Sequence, residues 1–177
     1  MGRVLLDACV LFPSVTRALL IGAAKQGFFE PLWSARILEE WRRAARRNGV
    51  GPQAEIEIAL LRASWPKAEM AENKALEARL TLPDENDRHV LTAAISGGAG
   101  ELLTRNLKDF PTRTLARHQI VRREPDGFLL EMRERLGPVV GGVHRQAQEM
   151  EGAAISCRLL LKRAGLPRLG KYFQGLV

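Results

Sequence analysis

Residues 4–13 read VLLDACVLFP, and the choice of fold turns on this stretch. Val4, Leu5 and Leu6 form a short apolar run with no polar alternation. That is the pattern of a parallel strand covered on both faces, not of a strand with one wet face. The run stops at Asp7. A carboxylate at the C-terminal end of such a strand stands where open α/β sheets keep their ligands. The same Asp also suits the start of a following helix.

Outward from this point the chain alternates. Ser14 is a candidate cap for a helix carrying Ala18, Leu19, Gly22 and Ala23 on one side and stopping at Gly27. Residues 28–33 read as a second strand. Ser34 is a candidate cap for a helix with Ile37, Leu38 and Trp41 on one face, ending near Asn48-Gly49. Pro52 opens a segment with Ile56, Ile58, Leu60 and Leu61, which closes before Pro66. Asp84 to Ser96 is helical by its caps and by the spacing of Val90, Leu91, Ala94 and Ile95, with Gly97-Gly98 as the stop. Leu102-Leu103-Thr104 is a third strand and Ile120-Val121 a fourth. Such alternation predicts an α/β fold with a central parallel sheet between helices. After Pro125-Asp126 the pattern is helical only. Phe128, Leu129, Met132 and Leu136 make one stripe, a longer helix is expected from Gln146 to Lys162, and Pro167 starts a last basic piece. The expected organisation is one domain over 1–125 and a helical C-terminal extension over 126–177.

A length of 177 residues accommodates one such domain and its extension. No apolar run approaches the roughly 20 residues that span a bilayer, and Asp7 interrupts the apolar N-terminus before it forms a signal-peptide core. The expectation is a cytoplasmic protein without a membrane partner. A formal charge of +7 favours association with a polyanion. Cys9 and Cys157 lack zinc-ligand spacing and read as buried small hydrophobes.

Four acids sit where chemistry needs them: Asp7 at a strand end, Glu40 on the second helix, Asp87 at a helix start and Asp109 past the third strand. Three or four converging carboxylates supply the hard oxygen ligands and the charge that hold Mg²⁺ or Mn²⁺ against a phosphate. Each acid also has a structural reading. Asp7 suits a cap, Glu39 and Glu40 suit ion pairs on an Arg-rich helix, Asp84 and Asp87 suit the positive end of a helix, and Asp109 suits a loop.

Four segments decide between these readings as a set: VLLDACVLFP at 4–13, SARILEEW at 34–41, DENDRHVLTAAI at 84–95 and LLTRNLKDFP at 102–111. In order, spacing and context they resemble the PIN-domain family over roughly residues 3–125. The resemblance implies an α/β/α sandwich around a parallel sheet and a Mg²⁺- or Mn²⁺-dependent nuclease acting mostly on RNA. It implies Asp7, Glu40, Asp87 and Asp109 as the catalytic, metal-holding quartet. Glu40 is preferred to Glu39 because the family places an apolar residue after the acid, and Trp41 fills that place. Asp84 is an additional acid, expected to reach the metal through water. Thr104 and Asn106 resemble the polar residues that orient the site. Arg88, Arg105 and Lys108 adjoin the acids as candidate RNA-phosphate contacts. His89 is read as packing, and the pairs Arg42-Arg43 and Arg46-Arg47 as a solvated face.

Within the family, a small chain of this form resembles the VapC-like toxin ribonucleases of bacterial toxin–antitoxin pairs. That implies cleavage of structured transfer or ribosomal RNA by in-line attack of water, leaving 5′-phosphate and 3′-hydroxyl ends. It also implies a cognate antitoxin, whose apolar helix would enter a groove walled by the helices at 14–26 and 52–65, and a homodimer. The competing readings are a non-catalytic RNA-binding PIN domain, against which the intact quartet argues, and a housekeeping or structure-specific nuclease. A Rossmann-like nucleotide binder is disfavoured, since no glycine fingerprint follows the first strand.

Overall fold

The computed structural model describes residues 1–151 and 154–176. It forms two compact units, one of Met1–Phe12 with Phe29–Arg123, the other of Pro13–Phe28 with the chain from Glu124 onward.

In the first unit, β1 (Gly2–Leu6) leads into a single turn, α1 (Ala8–Leu11). The chain then contributes α2 (Ser14–Lys25) to the second unit and returns as β2 (Phe29–Ser34), α3 (Ala35–Arg47), α4 (Gly51–Ser64) and β3 (Glu69–Met70). After a short α5 (Lys74–Glu77), a 3-10 turn over Glu85–Asp87 runs into α6 (Arg88–Ser96). β4 (Glu101–Leu103), a second 3-10 turn over Leu107–Asp109, α7 (Thr112–Ala116) and β5 (Val121–Arg123) complete the unit.

The five strands form one sheet in the order β3-β2-β1-β4-β5, and every pairing is parallel. This is the α/β architecture that the alternation predicts, with one strand more than expected. β3 has only two residues, Glu69 and Met70, too few to leave a periodic signal. β1 is central because its residues are apolar on both faces: Val4, Leu5, Leu6 and their neighbours Leu32, Leu102 and Leu103 are all buried. α3 and α6 pack on these strands, through Ile37, Leu38 and Trp41 from one and Val90, Leu91 and Ala94 from the other. Successive strands run outward from β1 on one side and then restart at β4 on the other. The carboxyl ends of β1 and β4 therefore diverge at a topological switch point, where such sheets open a crevice.

Ser34 caps α3 as anticipated, its Oγ accepting from the Ile37 N–H at 3.2 Å. α4 differs from expectation. Ala54, Ile58 and Leu61 face inward, whereas Ile56 and Leu60 are 57% and 60% exposed. Its apolar residues divide between two faces because positions 56 and 60 lie one turn apart on the side opposite 58.

The second unit consists of α2, α8 (Pro125–Glu131), α9 (Arg133–Glu151), α10 (Cys157–Arg163) and α11 (Pro167–Tyr172). α2 lies against α9, and a Cβ at Gly22 would overlap the Val139 side chain, so the absence of a side chain permits the approach. The residue capping α2 is Pro13, and Ser14 is already helical. Proline's fixed φ makes it a natural helix entry without a side-chain bond. The single helix expected over 146–162 is two helices. α9 ends at Glu151 and α10 begins at Cys157, where Ser156 Oγ accepts from the Leu159 N–H at 3.3 Å. Residues 152 and 153 of that expected span lie outside the described residues.

One carboxylate closes this unit. Asp126 on α8 is 9% exposed, and its two oxygens accept from the backbone N–H groups of Arg168 at 3.0 Å and Leu169 at 2.9 Å. These N–H groups belong to the first turn of α11 and have no partner within the helix. Asp126→Ala should lower the unfolding free energy by about 2 kcal/mol, because the cap is lost and two backbone donors, the Leu169 N–H buried and the Arg168 N–H part-buried, are left without their acceptor. Urea denaturation measures this, and a change within error would show that the cap does not hold α11.

Candidate metal centre

The site is built where β1 and β4 end. Asp7 follows β1 directly. Its backbone N–H donates to Leu103 O at 3.1 Å, and its side chain caps α1 by accepting from the Ala8 N–H at 2.7 Å. Thr104, fully buried one residue past β4, donates its hydroxyl to Asp7 Oδ2 at 2.7 Å and accepts from the Asn106 N–H at 3.0 Å. The Cys9 thiol adds a donor to the same oxygen at 3.2 Å. Both oxygens of Asp7 are thereby fixed in direction. Burial is the largest influence on this carboxyl and raises its pKa, while the bonds from Thr104, Cys9 and Ala8 lower it and Glu40 raises it.

Asp84, Asp87 and Asp109 meet on the other side of the centre, each with a carboxylate oxygen within 4.8 Å of the others. Asp84 caps the 3-10 turn, its Oδ1 accepting from the Asn86 N–H at 2.9 Å. This turn presents Asp87, whose Oδ2 accepts from Asn106 Nδ2 at 3.0 Å. Asp109 is carried by the turn after β4. That turn is pinned by Arg122 of β5, whose guanidinium donates to Leu107 O and, at 2.9 Å, to Phe110 O. Phe110 is itself fully buried. Partial burial pushes the Asp87 carboxyl from an ordinary 3.8 up to about 6, with the charges of Asp7, Asp84, Asp109 and Glu40 adding to it in that order. The other four acids thus all bear on Asp87. Asp84 stands in the tight trio, and Asp7 and Glu40 act on Asp87 from outside it.

Glu39 and Glu40 have different surroundings. Glu39 binds Arg42 at 2.7 Å and Arg43 at 3.0 Å, and these two, Arg42 first, hold its carboxyl below the usual range. With Arg46 pairing Glu55 at 3.1 Å, this side of α3 is a surface ion-pair network. Glu40 instead lies 2.8 Å from His89 Nε2 and 3.9 Å from Arg36 Nε.

Sequence reasoning missed three residues here. Cys9 is a half-buried donor to Asp7 rather than inert packing, and burial together with the Asp7 charge pushes its thiol up to about 12, so it remains an S–H. His89 touches Glu40. Arg122 positions the Asp109 turn from β5, a link with no local signal. Of the candidate cations, Lys108 is 84% exposed with Nζ 4.0 Å from Asp109 Oδ2. Arg88 is paired with Glu85. The Arg105 backbone N–H donates to Cys9 Sγ at 3.2 Å. Next to the turn that carries Asp87, Arg36, Lys74, Arg88 and His89 line an open cavity of about 600 Å³ together with Glu72, Glu77 and Glu85.

The donor set fits a hard divalent cation: oxygen ligands in close array, and a carboxyl at Asp87 driven toward protonation by burial and by the charges of its neighbours. A folded pKa above the unfolded one means that Asp87 favours folding below pH 4 and that this contribution is lost as pH rises through about 6. In metal-free buffer at pH 7, Asp87→Asn should raise the melting temperature by about 2 °C, a modest value for a half-exposed group. The gain should vanish below pH 4 and reverse in saturating Mn²⁺. Equal melting at every pH would mean that the carboxylates do not repel as described.

A family model described as PIN domain matches residues 3–108. The chain is 49% identical over 45 residues to the Mycobacterium tuberculosis protein named "Putative ribonuclease VapC50", a match covering 25% of this chain and 27% of that protein. No solved structure matches. The matched segment runs from within β1 to the turn after β4 and contains four of the five acids, Asp7, Glu40, Asp84 and Asp87, with Asp109 one residue beyond it; the chain belongs to the PIN-domain family.

Proposed function

We propose that the protein is a Mg²⁺- or Mn²⁺-dependent endoribonuclease, the toxin of a type II toxin–antitoxin pair. The observation that carries this reading is the convergence of five carboxylates at the switch point, with Asp87 pushed up to about 6 by burial and by the other four. Such a repulsive cluster is costly unless a cation completes it. Family membership and the similarity to VapC50 support the nuclease class.

Asp7, Glu40, Asp84, Asp87 and Asp109 are assigned as the residues that hold the metal, with Asp7, Glu40, Asp87 and Asp109 as the catalytic quartet. When bound, the cation would lower the pKa of a water and offset charge developing on the phosphate. The chain's own residues set the geometry. Thr104 and Cys9 orient Asp7, Asn106 holds Asp87, and Arg122 holds the turn carrying Asp109. Arg88, Arg105 and Lys108 are assigned to the RNA backbone, where cations position the strand without reading its sequence. The cavity next to the Asp87 turn offers room for a flanking nucleotide.

The nuclease domain is assigned to residues 1–125 and the extension to 126–177, although α2 packs with the latter. An antitoxin helix is the expected partner, and the exposed Ile56 and Leu60 of α4 provide an apolar strip for it. A homodimer and a cytoplasmic location complete the proposal. Among the described residues no helix is long and apolar enough to cross a membrane.

The purified protein should cut total bacterial RNA into discrete fragments ending in 5′-phosphate and 3′-hydroxyl groups. EDTA should stop the reaction, and Asp7→Asn and Asp87→Asn should each slow it by about 100-fold or more. Cleavage that persists in EDTA or in both variants would remove the acidic centre from the chemistry.

A further inference from the structure

His89 is the one histidine in the first unit whose ring reaches the acidic centre. It is on α6, its side chain is 5% exposed, and its Nε2 is 2.8 Å from Glu40 Oε1 on α3. The approach is at ion-pair distance but off the line of a hydrogen bond, and Nδ1 also has no hydrogen-bond partner. Buried imidazoles are normally satisfied, so a ring left this way beside a carboxylate calls for an explanation.

The contacts of Glu40 provide it. His89 Nε2 at 2.8 Å and Arg36 Nε at 3.9 Å both approach Oε1. Oε2 has no partner among the described residues. We infer that His89 is a positioning residue: from a fixed place in the core its ring stands against Oε1 of Glu40, so that Oε2 is the oxygen presented to the divalent cation. The inference rests on the metal-centre reading of the acids.

The arrangement follows from what each element supplies. α3 offers Glu40 on a side chain 38% exposed, long enough to swing into solvent and to join the Arg pairs that capture Glu39 one residue earlier. α6 is anchored by Val90, Leu91 and Ala94 in the core, which leaves the His89 ring little freedom. Tethering a flexible ligand to a rigid neighbour removes the entropy of ordering it when the cation arrives. Three positions before Thr92 and two after Asp87, the ring is also one wall of the cavity next to the Asp87 turn. Displacing it therefore also reshapes the space next to that turn.

The test is Mn²⁺ affinity, measured by isothermal titration in a double-mutant cycle of wild type, His89→Ala, Glu40→Gln and the pair, with His89→Gln as the conservative variant. Metal-free melting temperatures are recorded for each protein. His89→Ala is expected to weaken Mn²⁺ binding about 10-fold, as outer residues that orient ligands do. His89→Gln should recover most of the loss, and His89→Ala should add nothing in the Glu40→Gln background, since the ring acts only through that carboxylate. A purely packing role would predict instead that Mn²⁺ affinity follows the melting temperatures and that the two substitutions add. Additive losses, or wild-type affinity in His89→Ala, would overturn the inference while leaving the metal centre standing. Failure of the wild type to bind Mn²⁺ would overturn both.

Discussion

Asp7, Glu40, Asp84 and Asp109 all press their charge on Asp87 at the end of a parallel sheet, and the local structure of the first unit is organised around holding them there. The sheet does the gathering. With β1 central and the chain restarting at β4, the residues that follow these two strands meet at the switch point. The apolar runs fix the strands and so fix where Asp7 and the Asp109 turn emerge. Leu5, Leu6, Leu102 and Leu103 are fully buried, and none of them can move to relieve charge without opening the core.

Three devices oppose the repulsion. Hydrogen bonds from Thr104, Cys9 and Asn106 stabilise the ionised forms of Asp7 and Asp87. Arg122 ties the Asp109 turn to β5 through backbone carbonyls, which fixes its position without neutralising the acid. The 3-10 turn at Glu85–Asp87 places Asp84 and Asp87 on one side of a tight bend, capped by Asp84 itself. None of these supplies a positive charge at the centre, and that is the difference between this cluster and the ion pairs on the outer side of α3. There Glu39 and Glu55 are matched by Arg42, Arg43 and Arg46. Adjacent residues Glu39 and Glu40 thus serve opposite ends, one in a balanced surface network and one in an unbalanced pocket.

Much of this was legible in the sequence because its signals are local. An unbroken apolar run ending in Asp7 gave a buried strand and a strand-end acid, and Ser34 three residues before Ile37 gave a helix start. The structural reading of Asp7 as a cap is also correct: the same carboxylate caps α1 and faces the centre. The parts that were not legible depend on distant partners. β3 is held by two pairings with β2 and has no pattern of its own. The packing of α2 with the C-terminal helices requires Gly22 to meet Val139, more than a hundred residues away. On a helical wheel His89 points away from Asp87, and its contact with Glu40 depends on how α3 and α6 lie on the sheet. Ile56 and Leu60 look like core in sequence because hydrophobicity alone does not distinguish a buried face from an exposed one.

The claim underlying this account is that the acidic centre is completed by a divalent cation. The most direct measurement is anomalous diffraction from crystals of the protein grown with Mn²⁺. The account predicts a strong peak enclosed by the five carboxylates, with the side chains of Thr104 and Asn106 unmoved. A peak elsewhere on the molecule, or no peak with the five carboxylates splayed apart, would contradict it.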